Sequence, residues 1–261
     1  MANKKENKTA LITGASGGIG FELAKLFARD KYNLVLVARN KEKLQQRAEE
    51  LRKLGSPFVT VHWFDLAELE APDKLFARTE KSNIQVDILV NNAGYGIRGA
   101  FAKTNLDDEL EMMQLNMIAL THLTKLYLPQ MIKRGHGRIM QVASTAAFQP
   151  GPFMAVYYAT KAFVLSFSEA LYEELQGTGV TCTALCPGAT ETDFAKRAKM
   201  SDSKLFLKGA MDSKTVAEQG YKGLMDGKAV VITGTRNKLM TFSERFAPRS
   251  MVRKIVRGIQ E

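Results

Sequence analysis

The sequence contains a tyrosine and a lysine at a spacing that suits proton transfer. In "YYATK", residues 157–161, Tyr157 precedes Lys161 by four positions, so on a helix the two side chains share one face. A phenol ordinarily loses its proton near pH 10, and a neighbouring ammonium favours the phenolate. We therefore expect Lys161 to bring Tyr157 into range for acid or base catalysis. Tyr158, three positions before the lysine, is the rival for that role and is otherwise a packing residue.

Two further polar residues suit the same chemistry. Ser144 directly follows a predicted strand, "RIMQVA", and ligands of open α/β sheets bind at the carboxyl ends of strands. Its hydroxyl can donate to a carbonyl oxygen that gains charge during reduction. Asn116, in "QLNMIAL", has apolar neighbours in a predicted helix and would be costly to bury without partners. Asn116 is therefore either a hydrogen-bonded core amide or a functional residue.

A glycine-rich turn, "TGASGGIG" at residues 13–20, follows the first predicted strand and opens a helix. Gly14, Gly18 and Gly20 permit backbone conformations with positive φ and let a pyrophosphate approach the amides at a helix N-terminus. Their spacing is G-x-x-x-G-x-G, which differs from the G-x-G-x-x-G of the commonest dinucleotide fingerprint. The turn predicts a phosphate site, with a plain structural loop as the alternative.

The next two predicted strands end in residues that could select a nucleotide. Arg39 stands where dinucleotide-binding folds usually place an acid, and it favours a 2′-phosphate, hence NADP(H) over NAD(H). The alternative is a surface arginine at a strand end, and Gly17 supplies no second cation. Asp65 could accept from the adenine amino group, but with Glu68 it also forms a capping-box pattern. The two roles of Asp65 are compatible.

Short apolar runs alternate with segments of helical period, which predicts a doubly wound parallel sheet covered by helices on both faces. The predicted strands are 10–13, 34–38, 58–63, 87–91, 138–143, 180–186 and 229–233. The predicted helices are 18–30, 41–54, 66–81, 106–134, 155–176 and 214–226. Because no linker or repeat divides the 261 residues, we expect a single α/β domain over 1–261. The aperiodic segment 190–213 is a candidate lid over an apolar substrate.

Composition limits the possible classes of protein. Cys182 and Cys186 lie at even spacing in one predicted strand, so we expect both to be small buried residues on one side of the sheet. The three histidines are far apart in sequence and no Cys/His cluster has zinc spacing, so we expect no metal site. We see no signal peptide and no apolar run of about 18 residues, so we expect a cytoplasmic protein.

The formal net charge of +10 is concentrated partly in the tail, where residues 236–261 carry seven Lys/Arg and two acids. Residues 242–261 form a basic amphipathic segment with an apolar stripe of Met251, Val252, Ile255, Val256 and Ile259. This pattern is typical of an interfacial membrane helix, a docked C-terminal helix or a subunit contact. We consider membrane contact the least favoured of the three. No nucleic-acid-binding module is recognisable, so we expect no nucleic-acid partner.

Five motifs occur in the order and spacing of the short-chain dehydrogenase/reductase family, which the chain resembles from about residue 9 to residue 194. They are "TGASGGIG", "NNAG" at 91–94, Ser144, "YYATK" and "PGATET" at 187–192. The chain looks especially like a bacterial branch of undefined substrate, and it is similar to oxoacyl reductases and hydroxysteroid dehydrogenases. The resemblance implies a Rossmann-type fold and a homodimer or homotetramer. It also selects Tyr157 over Tyr158, because thirteen positions separate Ser144 from Tyr157.

The resemblance further implies roles for individual residues. Asn116 would hold a water that connects Lys161 to solvent, and Lys161 would also bind the nicotinamide ribose. Tyr157 would touch the cofactor as well as the substrate. The remaining residues that the resemblance adds to the cofactor site are Ser16, Ile19, Leu66, Asn91, Pro187, Gly188, Thr190 and Thr192.

These observations predict an NADP(H)-dependent oxidoreductase that interconverts a ketone and a secondary alcohol. We expect a reductase of an oxoacyl compound or another apolar ketone, and its partner would be that small molecule. One alternative is an oxidative dehydrogenase of a hydroxy acid. Another is a non-catalytic NADP(H) sensor, against which the intact set of Ser144, Tyr157 and Lys161 argues, because a sensor needs no acid with its activator.

Overall fold

A parallel β-sheet of seven strands organises the chain. The computed structural model describes residues 8–194 and 209–260. The strand order is β3-β2-β1-β4-β5-β6-β9, and every neighbouring pair in it is parallel. The strands are β1 Thr9–Thr13, β2 Asn33–Ala38, β3 Val59–Trp63, β4 Ile88–Asn91, β5 Gly137–Val142, β6 Val180–Cys186, β7 Thr190–Glu191, β8 Met211–Asp212 and β9 Val230–Ile232.

Helices cover both faces of this sheet. They are α1 Gly18–Arg29, α2 Lys41–Leu54, α3 Ala71–Lys81, α4 Leu106–Met113, α5 Leu120–Arg134, α6 Ala155–Glu174, α7 Ser213–Met225, α8 Thr235–Ser243 and α9 Arg249–Gln260. Short 3₁₀ helices lie at Phe101–Lys103 and Thr145–Phe148, and a π-helical segment, Gln114–Ala119, joins α4 to α5. The predicted doubly wound α/β fold with seven strands is confirmed.

Two apolar clusters hold the helices against the sheet. On one face, Phe27 of α1, Leu51 of α2 and Leu224 of α7 share a buried cluster with the strands. On the other face, Leu75 of α3 and Tyr127 of α5 belong to a second buried cluster. Strands β1 and β4 are buried along their whole length, because helices cover both of their sides. This explains the apolar runs "ALI" and "ILV" within them.

The structure corrects several predicted boundaries. The helix predicted at 66–81 begins only at Ala71, because residues 66–70 form turns and Pro72 suits a first helical turn. The long helix predicted at 106–134 is interrupted by the π-helical segment. Helix α8 was missed, since its sequence, "TRNKLMTFS", has a weak apolar period. Cys182 and Cys186 are buried and free, as expected.

The strand order reverses direction between β1 and β4, which creates a crevice at the carboxyl ends of these strands. The glycine turn, the "NNAG" turn and Ser144 all follow strands that end at this edge. Strands β7 and β8 pair with each other at the two ends of the predicted lid, 190–213. Residues 195–208 of that segment lie outside the described ranges. None of the helices in the described ranges is long and apolar enough to cross a membrane.

Candidate active site

A cavity of about 740 Å³ occupies this crevice. It brings together residues from the glycine turn, the ends of β2 and β3, the segment after β5, helix α6 and the "PGATET" turn. The predicted site residues that line it are Gly14, Ser16, Gly18, Ile19, Arg39, Asp65, Leu66, Ser144, Tyr157, Lys161, Pro187, Gly188, Thr190 and Thr192. Asn116, Gly20 and Asn91 are not among the lining residues.

The glycine turn has the geometry of an anion site. Gly14 and Gly18 adopt φ values of 66° and 54°, in the left-handed region that favours glycine. Gly17 is the N-cap of α1 and provides no side-chain cap, so no side chain there competes for the first-turn amides. Because Ser16, Gly17 and Gly18 line the cavity, these amides suit the pyrophosphate of a dinucleotide.

Gly20 has a different role from the predicted contact with the cofactor. A Cβ at this position would lie 2.6 Å from the carbonyl oxygen of Gly14 and would also meet the Asn92 amide. Gly20 therefore lets α1 approach the turn closely, and it does not reach the cavity. Asn92 braces the same turn, since its Nδ2 donates to the carbonyl oxygens of Thr13 at 2.9 Å and Gly14 at 3.3 Å.

The prediction for Asn91 is wrong as regards its side chain. Asn91 is buried at the end of β4, and its Nδ2 donates to Gln141 Oε1 and Thr124 Oγ1, both at 3.0 Å. The side chain thus belongs to a polar cluster between the sheet and α5. Residues 92–95, which follow it, line the cavity instead. A single motif, "NNAG", does not reveal which of its two asparagines points inward.

Arg39 and Asp65 meet where the ends of β2 and β3 line the cavity. Arg39 Nη1 lies 3.4 Å from Asp65 Oδ2 and 3.9 Å from Glu111 Oε1, and its side chain is 54% exposed. An exposed ion pair of this kind is weak, so the guanidinium can turn toward a phosphate. Asp65 does not cap α3, contrary to the capping-box interpretation; its Oδ1 accepts from the amide of Ala67 at 3.0 Å.

Two cations near the turn escaped the sequence analysis. Lys43 Nζ lies 3.6 Å from the position of a Cβ on Gly17, and 3.4 Å from Asp193 Oδ2 across the cavity mouth. Arg47 Nε donates to the carbonyl oxygen of Ser16 at 3.5 Å. Both belong to α2, and Lys43 follows Arg39 by four positions. The available signal was that both lie in α2, which begins two residues after Arg39.

The first turns of α6 carry the proton-transfer pair. Tyr157 and Lys161 are 8% and 6% exposed, and Lys161 Nζ lies 5.8 Å from the centroid of the Tyr157 ring. Lys161 Nζ donates to the carbonyl oxygen of Val142 at 2.8 Å. The two side chains therefore share one face of α6, as their spacing predicts, and both are withdrawn from water.

Burial controls the protonation of this pair. Desolvation raises the pKa of Tyr157 above its ordinary value of 10, and a hydrogen bond with Ser144 only partly opposes it. Desolvation also lowers the pKa of Lys161 to about 8. The shift is thus opposite to the expected lowering, and the hydrogen bond with Ser144, rather than the Lys161 ammonium, is what opposes burial. Within the described chain, Tyr157 holds its proton, which suits a general acid.

Ser144 lies between the catalytic tyrosine and the "PGATET" turn. Its Oγ accepts from the amide of Ala146 at 3.1 Å and donates to the carbonyl oxygen of Pro187 at 3.3 Å. The amide of Thr145 donates to the same carbonyl oxygen at 2.8 Å. These bonds hold the serine oxygen beside the turn. The hydroxyl has one proton, so Ser144 would donate to a substrate oxygen by giving up its long bond to the Pro187 carbonyl oxygen.

Asn116 is a fully bonded buried amide. Its Nδ2 donates to the carbonyl oxygen of Tyr95 at 2.9 Å and to Thr160 Oγ1 at 3.1 Å, while its Oδ1 accepts from the Tyr95 amide at 3.2 Å. A Cβ on Gly94 would lie 2.8 Å from Asn116 Oδ1 and 3.5 Å from Lys161 Nζ. The structure thus brings Asn116 close to Lys161, as part of the wall behind the cavity. Its water-holding role stays a prediction.

Tyr158 is more than a packing residue. Its ring lies on Gly151, 6.0 Å from the Tyr157 ring by centroids, and its hydroxyl accepts from Gln260 Nε2 at 2.7 Å. Arg98 Nη2 donates to the carbonyl oxygen of Gln260. These contacts dock α9 against the site.

The C-terminal segment forms an apolar wall of the cavity. Met154 and Phe194 pack around Gly96 beside Tyr157, at the end of the cavity that the C-terminal helices line. The other apolar lining residues of this end are Met240, Ala247, Met251, Val252, Ile255, Val256 and Ile259. Of the three interpretations of the amphipathic tail, the structure therefore supports the docked helix.

Comparison with known proteins agrees with this geometry. Residues 8–202 match the family model described as short chain dehydrogenase. A ketoacyl reductase, HetN, from Nostoc sp. is 32% identical over 94% of this chain and 87% of that protein. A short-chain dehydrogenase from Sphingobium yanoikuyae in complex with NADPH is 32% identical, with a TM-score of 0.82 over 92% of this chain and 94% of that one. A bulky-bulky ketone specific alcohol dehydrogenase from Comamonas testosteroni is 31% identical, with a TM-score of 0.78 over 94% and 95% of the two chains.

Proposed function

The chain belongs to the short-chain dehydrogenase/reductase family of oxidoreductases, and we propose that it reduces apolar ketones to secondary alcohols with NADPH. The observation that carries the proposal is the buried Tyr157 phenol beside Ser144 and Lys161, in a cavity shared with the glycine turn. We also propose that residues 1–261 form one catalytic domain.

The chain's residues fit a nicotinamide dinucleotide along the length of the cavity. The uncapped amides of α1 would hold the pyrophosphate, and Asp65 and Leu66 would lie beside the adenine. Gly188, Thr190 and Thr192 would hold the nicotinamide end, with Lys161 at its ribose. When bound, this cofactor supplies the hydride.

The protein's own contribution is to position the carbonyl and to provide a proton. Ser144 Oγ orients the carbonyl oxygen, and the Tyr157 hydroxyl protonates that oxygen as its charge develops. The raised pKa of Tyr157 supports the reductive direction, because the phenol keeps its proton until a strong base forms beside it. Lys161 and the Asn116 network would restore the proton from solvent.

We propose that NADP(H) is preferred over NAD(H). Arg39 lines the adenosine end, Lys43 lies near Gly17, and both can approach a 2′-phosphate. The carboxylate of Asp65 partly neutralises Arg39 and would compete with that phosphate. Glu111 lies 3.9 Å from Arg39, and Asp193 lies 3.4 Å from Lys43, so the two cations face three acids. The preference therefore rests on the exposed Arg39 guanidinium, which can leave its weak ion pairs for a charge-assisted bond to the phosphate.

The apolar wall supports a hydrophobic substrate. Methionine and aromatic side chains line the end of the cavity beyond Tyr157, and such side chains adapt to varied apolar shapes. The names of the two relatives that act on ketones, a ketoacyl reductase and a bulky-bulky ketone specific alcohol dehydrogenase, agree with this substrate class. The lid proposed at 190–213 would close the cavity over the substrate.

We further propose that the protein forms a homodimer or homotetramer. Helices α4 and α6 and the π-helical segment expose large apolar side chains, including Leu110, Ile118 and Phe163. Phe163 stacks on Phe167 with ring centroids 5.8 Å apart. A second copy of the chain would remove this apolar surface from water. Sedimentation of the purified protein tests the proposal, and a monomer at micromolar concentration would contradict it.

The test of the activity is NADPH consumption with a panel of aliphatic ketones, aryl ketones and oxoacyl thioesters. Tyr157→Phe should reduce kcat by about 10²-fold to 10⁴-fold, since it removes the proton donor. Tyr158→Phe is the matched control, because it deletes the adjacent hydroxyl and leaves the donor in place. NADPH affinity, measured by fluorescence, should be similar in all three proteins. Near-normal turnover by Tyr157→Phe would refute the assignment of the acid.

A further inference from the structure

Three buried oxygen atoms at the C-terminal wall have no hydrogen-bond partner among the described residues. They are the two carboxylate oxygens of Glu244, which follows α8, and Oε1 of Gln260, at the end of α9. Both residues line the cavity that contains Tyr157. Buried polar atoms in native proteins are nearly always bonded, so acceptors that line a cavity without a protein partner are places where water or a donor group of a ligand binds.

Both side chains are related to the Tyr158 hydroxyl. Gln260 Nε2 donates to the Tyr158 hydroxyl at 2.7 Å, which leaves Gln260 Oε1 as the free end of that amide. The Glu244 carboxylate is close enough to contribute to the raised pKa of the Tyr158 phenol, although burial is the larger cause. The acceptors therefore lie on the Tyr158 side of the cavity, whereas Ser144 and Tyr157 serve the reacting carbonyl.

The electrostatics of Glu244 favour a donor. Burial raises the pKa of this carboxyl, and no charged neighbour in the described part of the chain offsets the effect. A carboxylate that is withdrawn from water without a partner is disfavoured in its ionised form, and a bound donor would offset part of that effect. The surrounding wall consists mainly of apolar side chains, which cannot supply the donor.

We propose that Glu244 and Gln260 bind a hydroxyl or ammonium group that the substrate carries at a distance from its carbonyl. The proposal rests on the ketone reductase function and narrows its substrate class. The preferred substrate has an apolar middle that contacts the wall, a carbonyl at Ser144 and Tyr157, and a hydrogen-bond donor at Glu244. Glu244 is a specificity-determining residue in this arrangement.

The test uses three ketones of equal chain length that end in a methyl, a hydroxyl or an ammonium group. For the wild-type enzyme, kcat/KM should be at least about tenfold higher for one of the donor-ended ketones than for the methyl-ended one, mainly through KM. Glu244→Leu should bring that ratio close to one. Arg245→Leu, which changes the exposed neighbouring residue, should leave the ratio unchanged.

Glu244→Gln separates the two donors, because an amide retains an acceptor for a hydroxyl but loses the charge that attracts an ammonium. A preference for the hydroxyl-ended ketone should survive in this variant, and a preference for the ammonium-ended ketone should fall at least about tenfold. Equal kcat/KM for all three ketones in the wild type would overturn the proposal. So would a ratio that Glu244→Leu leaves unchanged.

A binding measurement separates this inference from the proposed activity. With NADP⁺ present, octanol or octylammonium should raise the Tm of the wild type and of Arg245→Leu by several degrees, and that of Glu244→Leu by clearly less. If no ketone in the panel is reduced but this difference is seen, the activity is wrong and the donor site stands. If ketones are reduced but Tm rises equally in all three proteins, the donor site is refuted.

Discussion

Replacing Lys161 by methionine should stabilise the fold at neutral pH while it destroys activity. Burial lowers the pKa of Lys161 from 10.5 to about 8, which corresponds to roughly 3 kcal/mol of unfavourable charge burial. Methionine has a similar length and no charge. The variant loses the hydrogen bond to the Val142 carbonyl oxygen, at a cost of about 1 kcal/mol. We expect a net gain of about 2 kcal/mol in the free energy of unfolding at pH 7.

The gain should depend on pH in a defined direction. Below pH 8, both the native and the unfolded wild type hold the proton, so the native state carries the full cost of the buried charge. Between pH 8 and pH 10.5, the unfolded state binds more protons than the native state, so wild-type stability rises with pH relative to the variant. The advantage of Lys161→Met is therefore largest at pH 7 and should be close to zero at pH 10.

Urea unfolding followed by circular dichroism measures this difference, with both proteins free of cofactor at pH 7 and pH 10. Lys125→Met, at an exposed position of α5, is the matched control and should change stability by less than about 0.5 kcal/mol. In NADPH consumption assays, Lys161→Met should lose about 10²-fold or more in kcat/KM. The burial argument would be refuted if Lys161→Met were less stable than the wild type at pH 7. It would also be refuted if the difference in the free energy of unfolding were the same at pH 7 and pH 10.

Three other substitutions test separate parts of the site. Arg39→Asp would place a second carboxylate beside Asp65 and repel a 2′-phosphate. The ratio of kcat/KM with NADPH to kcat/KM with NADH should therefore fall at least about tenfold. An unchanged ratio would remove Arg39 from the cofactor site. Gly94→Ala inserts a Cβ 2.8 Å from Asn116 Oδ1, and steady-state assays should find kcat lowered about 10-fold to 100-fold with the KM for NADPH little changed. Gly20→Ala should lower the Tm and weaken NADPH binding in fluorescence titrations, because its Cβ collides with the Gly14 carbonyl; an unaltered variant would contradict the close approach of α1.

Local sequence patterns were sufficient for the sheet and for part of the cavity lining, whereas the family resemblance supplied the lining residues of the "PGATET" turn. The strands of the central sheet are short apolar runs between segments of helical period, and this alternation identifies them. The glycine turn, Arg39 and Ser144 each follow such a strand directly. A residue at the carboxyl end of a parallel strand lies at the edge where ligands bind, so its place in the site follows from its place in the sequence.

Other features depend on contacts between distant parts of the chain and were not predictable from spacing. Gly20 matches the family motif, but its role is to let α1 pack against the Gly14 carbonyl oxygen. Only the fold shows that a Cβ at this position would collide with that oxygen. The Tyr157–Lys161 spacing indicates a shared helix face, but it does not reveal the depth of burial. That depth reverses the expected direction of the Tyr157 pKa shift.

The C-terminal segment contributes to the chemistry as well as to the substrate site. Helix α9 buries Val252 and Val256 in the cluster that contains Tyr157 and Tyr158. We infer that α8 and α9, which line this end of the cavity, exclude water from it and so add to the burial that raises the pKa of Tyr157 and lowers that of Lys161. The same exclusion of water makes the unpartnered Glu244 carboxylate a strong acceptor. A substrate that places a donor there would complete the apolar enclosure and align its carbonyl with Tyr157, so recognition and proton transfer depend on the same two helices.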